Sequence, residues 1–383
     1  VALQIPPLVH KINSPADIDP HDVHDGILGI LGLPDGHTRD VMLGSVLTGL
    51  LLRGPRIAEV EAAVQAATCL DRDGWDYGRP AAGVRFVGYT GSGKKTFKTL
   101  NLSSAAAFVA ATGGAHIAKL GSRSASSKTG SRDFIDLVGA GCDAVPHDEM
   151  VGIATECGFG FFSIEHRVPE FDRRYGGRFQ AVHALSLAFP ALLSPVVCSS
   201  YVYGLSHPAV DVSAQLLTRF GLADVTVVNS SVDGALQVDE LLPGATVRTS
   251  RIRDGLGDSS LPREVRLAAA AMPRDLRSIA QRPDPHANVA AAVSALAGHG
   301  SSSARNAVAL NAALLMVAGQ AAPTLRAGLD TAQAILRTDA AFGTLRCFIR
   351  LSGGSPHALE GLLPTAAYGA ASARTSRKEE IPC

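Results

Sequence analysis

Charge of neither sign predominates in this chain: 35 Lys and Arg stand against 35 Asp and Glu. Such a balance gives no support to a nucleic-acid or membrane surface as partner. Aromatic residues make up 5% of the chain, with a single Trp, too few for a base-stacking platform. Cysteines occur at 69, 142, 157, 198, 347 and 383, with no C-x-x-C pair and no histidine cluster at metal-ligand spacing. A disulfide scaffold and a zinc site both lack support, so reduced cytosolic thiols are expected. No charged segment precedes an apolar core at the start, and no uninterrupted apolar run reaches membrane-spanning length. The expectation is a soluble, cytoplasmic protein.

What is present is length and apolar content: 383 residues, 46% hydrophobic, with 39 Gly and 21 Pro. That suggests two domains, or one large α/β domain with a helical partner. Residues 1–20 are proline-rich and read as irregular. From Pro20 to Asp71 the pattern is helical (Val23, Ile27, Ile30 and Leu31, then Val41 to Leu52, then Ile57 to Cys69), punctuated by Gly36 and Gly54-Pro55. Helices this apolar need partners, either within the chain or from a second subunit. From residue 84 onward strands and helices alternate. Asp148 to Cys157 reads as a helix; Gly158 to Ile164, Pro195 to Gly204, Asp224 to Val228 and Ala245 to Ser250 read as strands. Phe179 to Leu193 reads as helical, and Asn306 to Ile349 as a pair of long helices. The fold class expected is α/β, a small all-helical domain beside a large domain with a mainly parallel sheet. The helical domain covers 1–78, joined by helices around 179–193. The α/β domain covers 79–178 and 194–365, and 366–383 is a polar tail.

The stretch from Val84 to Asp133 carries the chemistry. A β-rich run (Val84, Phe86, Val87) passes into a glycine loop, Gly88-Tyr-Thr-Gly-Ser-Gly93, followed by Lys94, Lys95 and Lys98. Asn101-Leu-Ser-Ser104 precedes an alanine-rich run that reads as a buried helix, with Ser103 or Ser104 as N-cap. A second apolar run, Ala115 to Ala118, ends in Lys119 and another polar turn. Two strand–loop–helix passages with glycines, hydroxyls and cations make an anion site for a phosphorylated small molecule. Gly88 to Lys94 also fits the start of the nucleotide-hydrolase phosphate loop. There Lys95 takes the position that needs a hydroxyl for Mg²⁺, and the helix starts about ten residues too late, which rejects that reading.

These residues carry a family resemblance. Thr99 to Ala111, then Ala118-Lys-Leu-Gly-Ser-Arg123, then Ser126-Ser-Lys-Thr-Gly-Ser-Arg-Asp133, resemble anthranilate phosphoribosyltransferase. The resemblance extends more weakly to the pyrimidine nucleoside phosphorylases and covers about Asp22 to Leu351. It implies a Mg²⁺-dependent transfer of phosphoribosyl from phosphoribosyl pyrophosphate, and a homodimer formed through the helical domain. The donor-binding residues it implies are Gly88, Thr90, Gly91, Ser92, Gly93, Asn101, Ser103, Ser104, Lys119, Ser122, Arg123, Ser127 and Lys128. Asp239 and Glu240 are carried over as metal ligands, with Ser103 as hydroxyl ligand to a second metal. The pair follows Asp233-Gly234 after a strand, as in the family, though Ala235 to Val238 separate the two motifs more widely. Lys119 is assigned to clamp the departing pyrophosphate.

The departures fall mainly on the acceptor side. The family's Gly-Thr-Gly-Gly-Asp-Gly has become Gly88 to Gly93, with Ser92 in place of the acid and a lysine-rich insertion after it. Leu120-Gly-Ser122 replaces His-Gly-Asn, and Glu165-His166-Arg167 replaces His-His-Pro. Arg178 lies near the family's acceptor-carboxylate arginine, with Arg173 and Arg174 close by. Arg178 and His166 are the expected acceptor contacts, and the expected acceptor is a small aromatic or heterocyclic acid other than anthranilate. Two alternatives stay open. A pentosyl phosphorylase would use free phosphate, but its Lys-x-Ser motif is missing. A nucleic-acid-binding relative without catalysis would carry a basic stripe, which the charge balance disfavours.

Overall fold

A computed structural model of the chain describes residues 7–124, 127–257, 264–266 and 276–362. Its frame is a single sheet built from β1 (Phe86–Gly91), β2 (His116–Gly121), β3 (Phe159–Ser163), β4 (Ser200–Gly204), β5 (Asp224–Val232), β6 (Leu236–Val238), β7 (Thr246–Arg253), β8 (Leu256–Gly257) and β9 (Glu264–Arg266). The order is β3-β2-β1-β4-β5-β7-β8, with β6 paired to β5 and β9 to β7. From β3 to β5 all neighbours are parallel, and Tyr89 sits opposite Lys119 while Gly91 sits opposite Gly204. β7 runs antiparallel beside β5. All nine residues of β5 are buried, as expected of a strand covered on both faces, whereas β7 alternates between buried and partly exposed positions.

The chain winds one way from β1 to β3 and the other way from β4 to β5. The order therefore reverses at β1 and β4, and the crevice beyond their carboxyl ends is where an open α/β sheet binds ligands. This positions the site described below.

Before the sheet come α1 (Pro7–Lys11), α2 (Pro20–Leu31), α3 (His37–Leu52) and α4 (Ile57–Cys69). α1 lies within the stretch read as irregular. It packs close to its neighbours: a Cβ on Gly26 would meet Leu8 at 2.6 Å, and one on Gly49 would meet Ile12 at 2.4 Å. Most of the apolar surface of α2–α4 is covered within the chain, Val41 and Leu52 of α3 excepted. Val23, Ile27, Ile30, Leu47 and Leu50 are fully buried. They share one cluster with Ala184–Leu193 and with Tyr203, Leu217, Val225 and Val227 from the α/β part. The buried carboxylate of Glu59 accepts the Ile18 N–H at 2.9 Å and pairs with Arg53 and Arg56, tying the entry segment to α4.

The other large cluster is built around α5 (Leu102–Thr112), whose Ala105 to Ala110 are fully buried. Phe108 stacks on Phe159 of β3 with ring centroids 4.0 Å apart. The helix starts two or three residues earlier than its sequence suggests, with Asn101 at the N-cap and Ser103 and Ser104 in the first turn.

Several elements differ from the sequence reading. Gly88 to Gly91 belong to β1, not to a loop. Gly88 is small because Tyr201 of β4 crosses it: a Cβ there would lie 2.6 Å from the Tyr201 ring. β4 begins only at Ser200, since the chain before it pairs with Gly78 in an isolated parallel bridge at Val196. Phe179 to Leu193 holds two single turns, Ala184–Leu187 and Phe189–Leu192, with Pro190 stopping a longer helix. Residues 306–349 fall in three helices rather than a pair, Ser302–Ala318, Leu325–Ile335 and Ala340–Leu351. The expected tail at 366–383 lies outside the described residues. Among the described residues no helix is long and apolar enough to cross a membrane. Among the described residues no cysteine forms a disulfide.

Candidate active site

Beyond the carboxyl ends of β1 and β2 opens a cavity of about 400 Å³. Its floor is made where β1 leaves the sheet. The Ser92 N–H donates to the Gly204 carbonyl at 2.7 Å, and the Ser92 hydroxyl accepts the Ser206 N–H at 2.9 Å, fastening β1 to the exit of β4. The chain then turns through Gly93 (φ 62°) and Lys94 (φ 58°), both left-handed. Lys94 carries a side chain in a conformation that favours glycine, a cost that marks the position as constrained by what it touches.

Asp239 and Glu240 arrive at this floor from the turn after β6. Asp239 is 6% exposed and Glu240 1%. Asp239 Oδ2 accepts the Gly93 N–H at 3.0 Å, and Lys95 Nζ lies 3.1 Å from Asp239 Oδ1. Lys95 also pairs with Glu240 Oε1 and donates to Thr99 Oγ1 at 2.9 Å. Burial alone would lower the Lys95 ammonium's pKa, but the two carboxylates outweigh it and hold the pKa above the ordinary lysine value. Glu240 Oε2 is buried with no hydrogen-bond partner. Lys119 projects from β2 into the same space, 2% exposed. Its Nζ donates to the Leu120 carbonyl at 3.0 Å and lies 4.8 Å from the Tyr89 ring centroid. Burial lowers its pKa to about 8, against the pull of Asp239 and Glu240. A buried lysine with no carboxylate in contact is well placed for an anionic ligand.

The first turn of α5 faces the cavity with Asn101 and Ser103. Its N-terminal amides and positive dipole end suit phosphate oxygens. Asn101 itself is a structural hub. Its Oδ1 accepts from Thr129 Oγ1 at 2.8 Å and from Asn288 Nδ2 at 3.0 Å, while its Nδ2 donates to the Gly130 carbonyl at 3.1 Å. These bonds fix the second loop, where Ser122, Arg123, Ser124, Ser127 and Thr129 border the cavity. Arg123 is 60% exposed and pairs with Asp136 at 3.3 Å, while its N–H donates to Glu165 Oε1 at 2.6 Å.

The opposite half of the cavity is apolar. Phe171 stacks on Tyr175 at 4.8 Å and touches Phe189 at 4.7 Å, and Tyr175 meets Phe179 at 4.9 Å. Leu185, Pro190 and Leu193 complete this wall. Lys94 reaches it from the floor: its Nζ donates to the Tyr175 hydroxyl and lies 2.9 Å from His183 Nε2. Burial lowers the Lys94 pKa to about 7, and burial with the Lys94 charge keeps His183 neutral. One half of the cavity is therefore cationic and amide-rich, the other a flat aromatic slot with one lysine at the seam.

The structure brings Thr90, Gly91, Ser92, Gly93, Asn101, Ser103, Lys119, Ser122, Arg123, Ser127, Asp239 and Glu240 to this cavity. Gly88 packs under Tyr201 instead. Ser104 is buried inside α5, its hydroxyl without a partner. Lys128 points to solvent. The Arg178 side chain turns away, its Nε 3.4 Å from Asp40 and its Nη1 donating to the Arg173 carbonyl at 3.1 Å. His166, in the short helix Ile164–Arg167, is 64% exposed and 3.9 Å from Asp143. Gly177 leaves the cavity with φ 70°, and that turn carries Arg178 toward α3. Sequence reasoning missed the aromatic wall, Lys95's two carboxylates and the seam position of Lys94. Its available signal was the spacing of Phe171, Tyr175, Phe179 and His183, each four residues after the last.

Residues 83–342 match the family described as "Glycosyl transferase family, a/b domain". Anthranilate phosphoribosyltransferase of Alkalilimnicola ehrlichii is 30% identical over 324 residues, 82% of this chain and 90% of that protein. The enzyme of the same name from Burkholderia ambifaria is 31% identical over 235 residues, 61% of this chain and just under two thirds of that protein, 66%. Among solved structures, anthranilate phosphoribosyltransferase from Thermus thermophilus superposes with a TM-score of 0.70 at 25% identity, covering 90% of this chain and 99% of that one. The Saccharomyces cerevisiae enzyme in complex with PRPP and Mg gives 0.67 at 19% identity, covering 90% of this chain and 97% of that one, a likeness of fold alone. Fold and cavity together define an α/β protein with its ligand cleft at the sheet's switch point. The chain belongs to the glycosyl transferase family that includes the anthranilate phosphoribosyltransferases.

Proposed function

We propose that this protein transfers the phosphoribosyl group of phosphoribosyl pyrophosphate, with Mg²⁺, to a small aromatic or heterocyclic acid other than anthranilate, releasing pyrophosphate. The observation that carries the reading is the two-sided cavity, with Lys119, Lys95 and the α5 amides on one side and the Phe171–Tyr175–Phe179–Phe189 slot on the other. Mg²⁺ takes one or two carboxylates with water and phosphate oxygens, and Asp239, Glu240 and the Ser103 hydroxyl are a donor set of that kind. The unpartnered, buried Glu240 Oε2 supports their fit to a cation. When bound, Mg²⁺ supplies charge neutralisation of the pyrophosphate oxygens.

Loss of pyrophosphate builds positive charge at the anomeric carbon and negative charge on the leaving oxygens. Lys119 and the α5 amides neutralise the leaving group, and the walls of the cavity hold the acceptor in line. On the acceptor side, Lys94 rather than Arg178 or His166 is the cation within reach of an acid lying in the aromatic slot. Leu120 and Ser122, in place of the family's polar pair, support an acceptor other than anthranilate. The helices α2–α4 are the proposed dimer face, supported by Val41 and Leu52, 66% and 79% exposed on α3.

The test is calorimetric titration of phosphoribosyl pyrophosphate with Mg²⁺ into wild type and into Asp239→Asn/Glu240→Gln. Magnesium-dependent binding in wild type, lost in the double variant, is expected. Unchanged affinity in the double variant contradicts the metal assignment, and no binding to wild type contradicts the donor.

A further inference from the structure

The carboxylate pair already holds a cation supplied by the chain. Lys95 Nζ is 3.1 Å from Asp239 Oδ1, pairs with Glu240 Oε1 and is steadied by Thr99 Oγ1 at 2.9 Å. Its side chain is 17% exposed, so the ammonium is built into the floor rather than laid over it. Asp239 has its other oxygen engaged by the Gly93 N–H at 3.0 Å. Two of the four carboxylate oxygens, Asp239 Oδ1 and Glu240 Oε2, are buried without a hydrogen bond, and of these Oδ1 faces the Lys95 ammonium as an ion pair while Oε2 faces no cation. Among the described residues no group of three or more His, Cys, Asp or Glu surrounds the site to supply further ligands.

We propose that Lys95 is a tethered cation that takes the place of one divalent ion at the Asp239–Glu240 pair, leaving Glu240 Oε2 as the carboxylate oxygen for a single remaining metal. The inference deepens the proposed function. Two adjacent buried carboxylates facing a pyrophosphate repel it unless cations intervene, and a pair of this kind recruits divalent ions from solution. An ammonium is a compact point charge on a flexible stem, able to bridge two carboxylates where a planar guanidinium needs a fork. Its position is set by the turn at Gly93 and Lys94, which sends the chain back across the pair. The donor then meets a floor with one charge permanently in place and needs one fewer metal ion.

The test leaves the donor out, so that its outcome is separate from that of the proposed function. Mn²⁺, as a paramagnetic substitute for Mg²⁺, is titrated into free wild type, Lys95→Met and Lys95→Arg, and bound ion is read as loss of the aqueous Mn²⁺ resonance signal. Lys95→Met is expected to bind one more Mn²⁺ than wild type, at least tenfold tighter than any ion wild type takes. Adding Asp239→Asn should remove that ion, and Lys95→Arg, which keeps the charge, should behave as wild type. Equal stoichiometry and affinity in wild type and Lys95→Met, tight or weak, overturns the proposal. If Lys95→Met is unfolded without metal, recovery of its near-ultraviolet circular dichroism on adding Mn²⁺ is the same supporting result. Failure of Mn²⁺ to recover it counts against the proposal.

Discussion

Gly93 and Asp239 stand 146 positions apart, and the Gly93 amide donates to Asp239 Oδ2 at 3.0 Å. That bond joins the exit of β1 to the turn after β6, and it depends on two glycines that leave room for the acid. A Cβ on Gly91 would lie 2.6 Å from Asp239 Oδ2, and one on Gly204 only 1.9 Å from the Asp239 carbonyl oxygen. The site's shape is therefore set by close backbone approach at the switch point of the sheet.

Substitution at these glycines separates geometry from stability. In Gly91→Ala the obstacle is a carboxylate that can swing. We expect a loss of about 1–2 kcal/mol in urea denaturation and at least tenfold in donor affinity. In Gly204→Ala the obstacle is backbone, and a loss of about 3 kcal/mol or failure to fold is expected. Normal donor affinity in Gly91→Ala would show that the Asp239 carboxylate is not held where the donor needs it.

Lys119 sets function against stability. Its pKa falls from 10.5 unfolded to about 8 in the fold because it is buried. Between those values the unfolded chain binds more protons, so wild type gains stability as pH rises from about 8 towards 10.5. Lys119→Met lacks that gain. It should be more stable than wild type below pH 8, by on the order of 3 kcal/mol, with the difference vanishing above pH 10.5. Turnover should fall about 10²-fold or more with the loss of the leaving-group cation. Denaturation midpoints across pH, measured beside steady-state rates, check both halves. A destabilised variant at pH 7 contradicts the first, and near-normal turnover the second.

Lys94 predicts a proton signature. With a pKa of about 7 it is largely neutral at pH 8, and an acid entering the cavity beside the Tyr175 and Phe179 wall favours its charged form. Acceptor-acid binding at pH 8 should therefore take up a proton, approaching one per site. Calorimetry in two buffers of different ionisation enthalpy measures it. Lys94→Gln should remove the uptake and weaken the acid at least tenfold. The same uptake in Lys94→Gln assigns the proton to another group.

Much of the frame was legible in the sequence, and for physical reasons. β3 is apolar from Phe159 to Phe162 because both faces of the sheet are covered, and α5 is alanine-rich because it is buried among other helices. The anion-binding turn, Lys119 and the Asp239–Glu240 pair could be marked from residue types and from family resemblance. Direction and long-range pairing could not. Nothing local tells that Arg178 turns to Asp40 across the chain, or that Gly88 is glycine for the sake of Tyr201 on the neighbouring strand. The three lysines after Gly93 read alike, although the fold sends Lys94 to the aromatic slot and Lys95 to the carboxylates. The aromatic wall was hidden because its spacing is helical while Gly176 and Gly177 end the helix after Tyr175.

The central claim is tested most directly by turnover. Enzyme, Mg²⁺ and phosphoribosyl pyrophosphate are incubated with anthranilate and a panel of small aromatic and heterocyclic acids in equal amounts. Released pyrophosphate is measured, and the ribosylated products are read by mass. The account predicts pyrophosphate release tied to one acid of the panel, with anthranilate a poor acceptor or none. Efficient ribosylation of anthranilate, or no acceptor-dependent pyrophosphate at all, would contradict it.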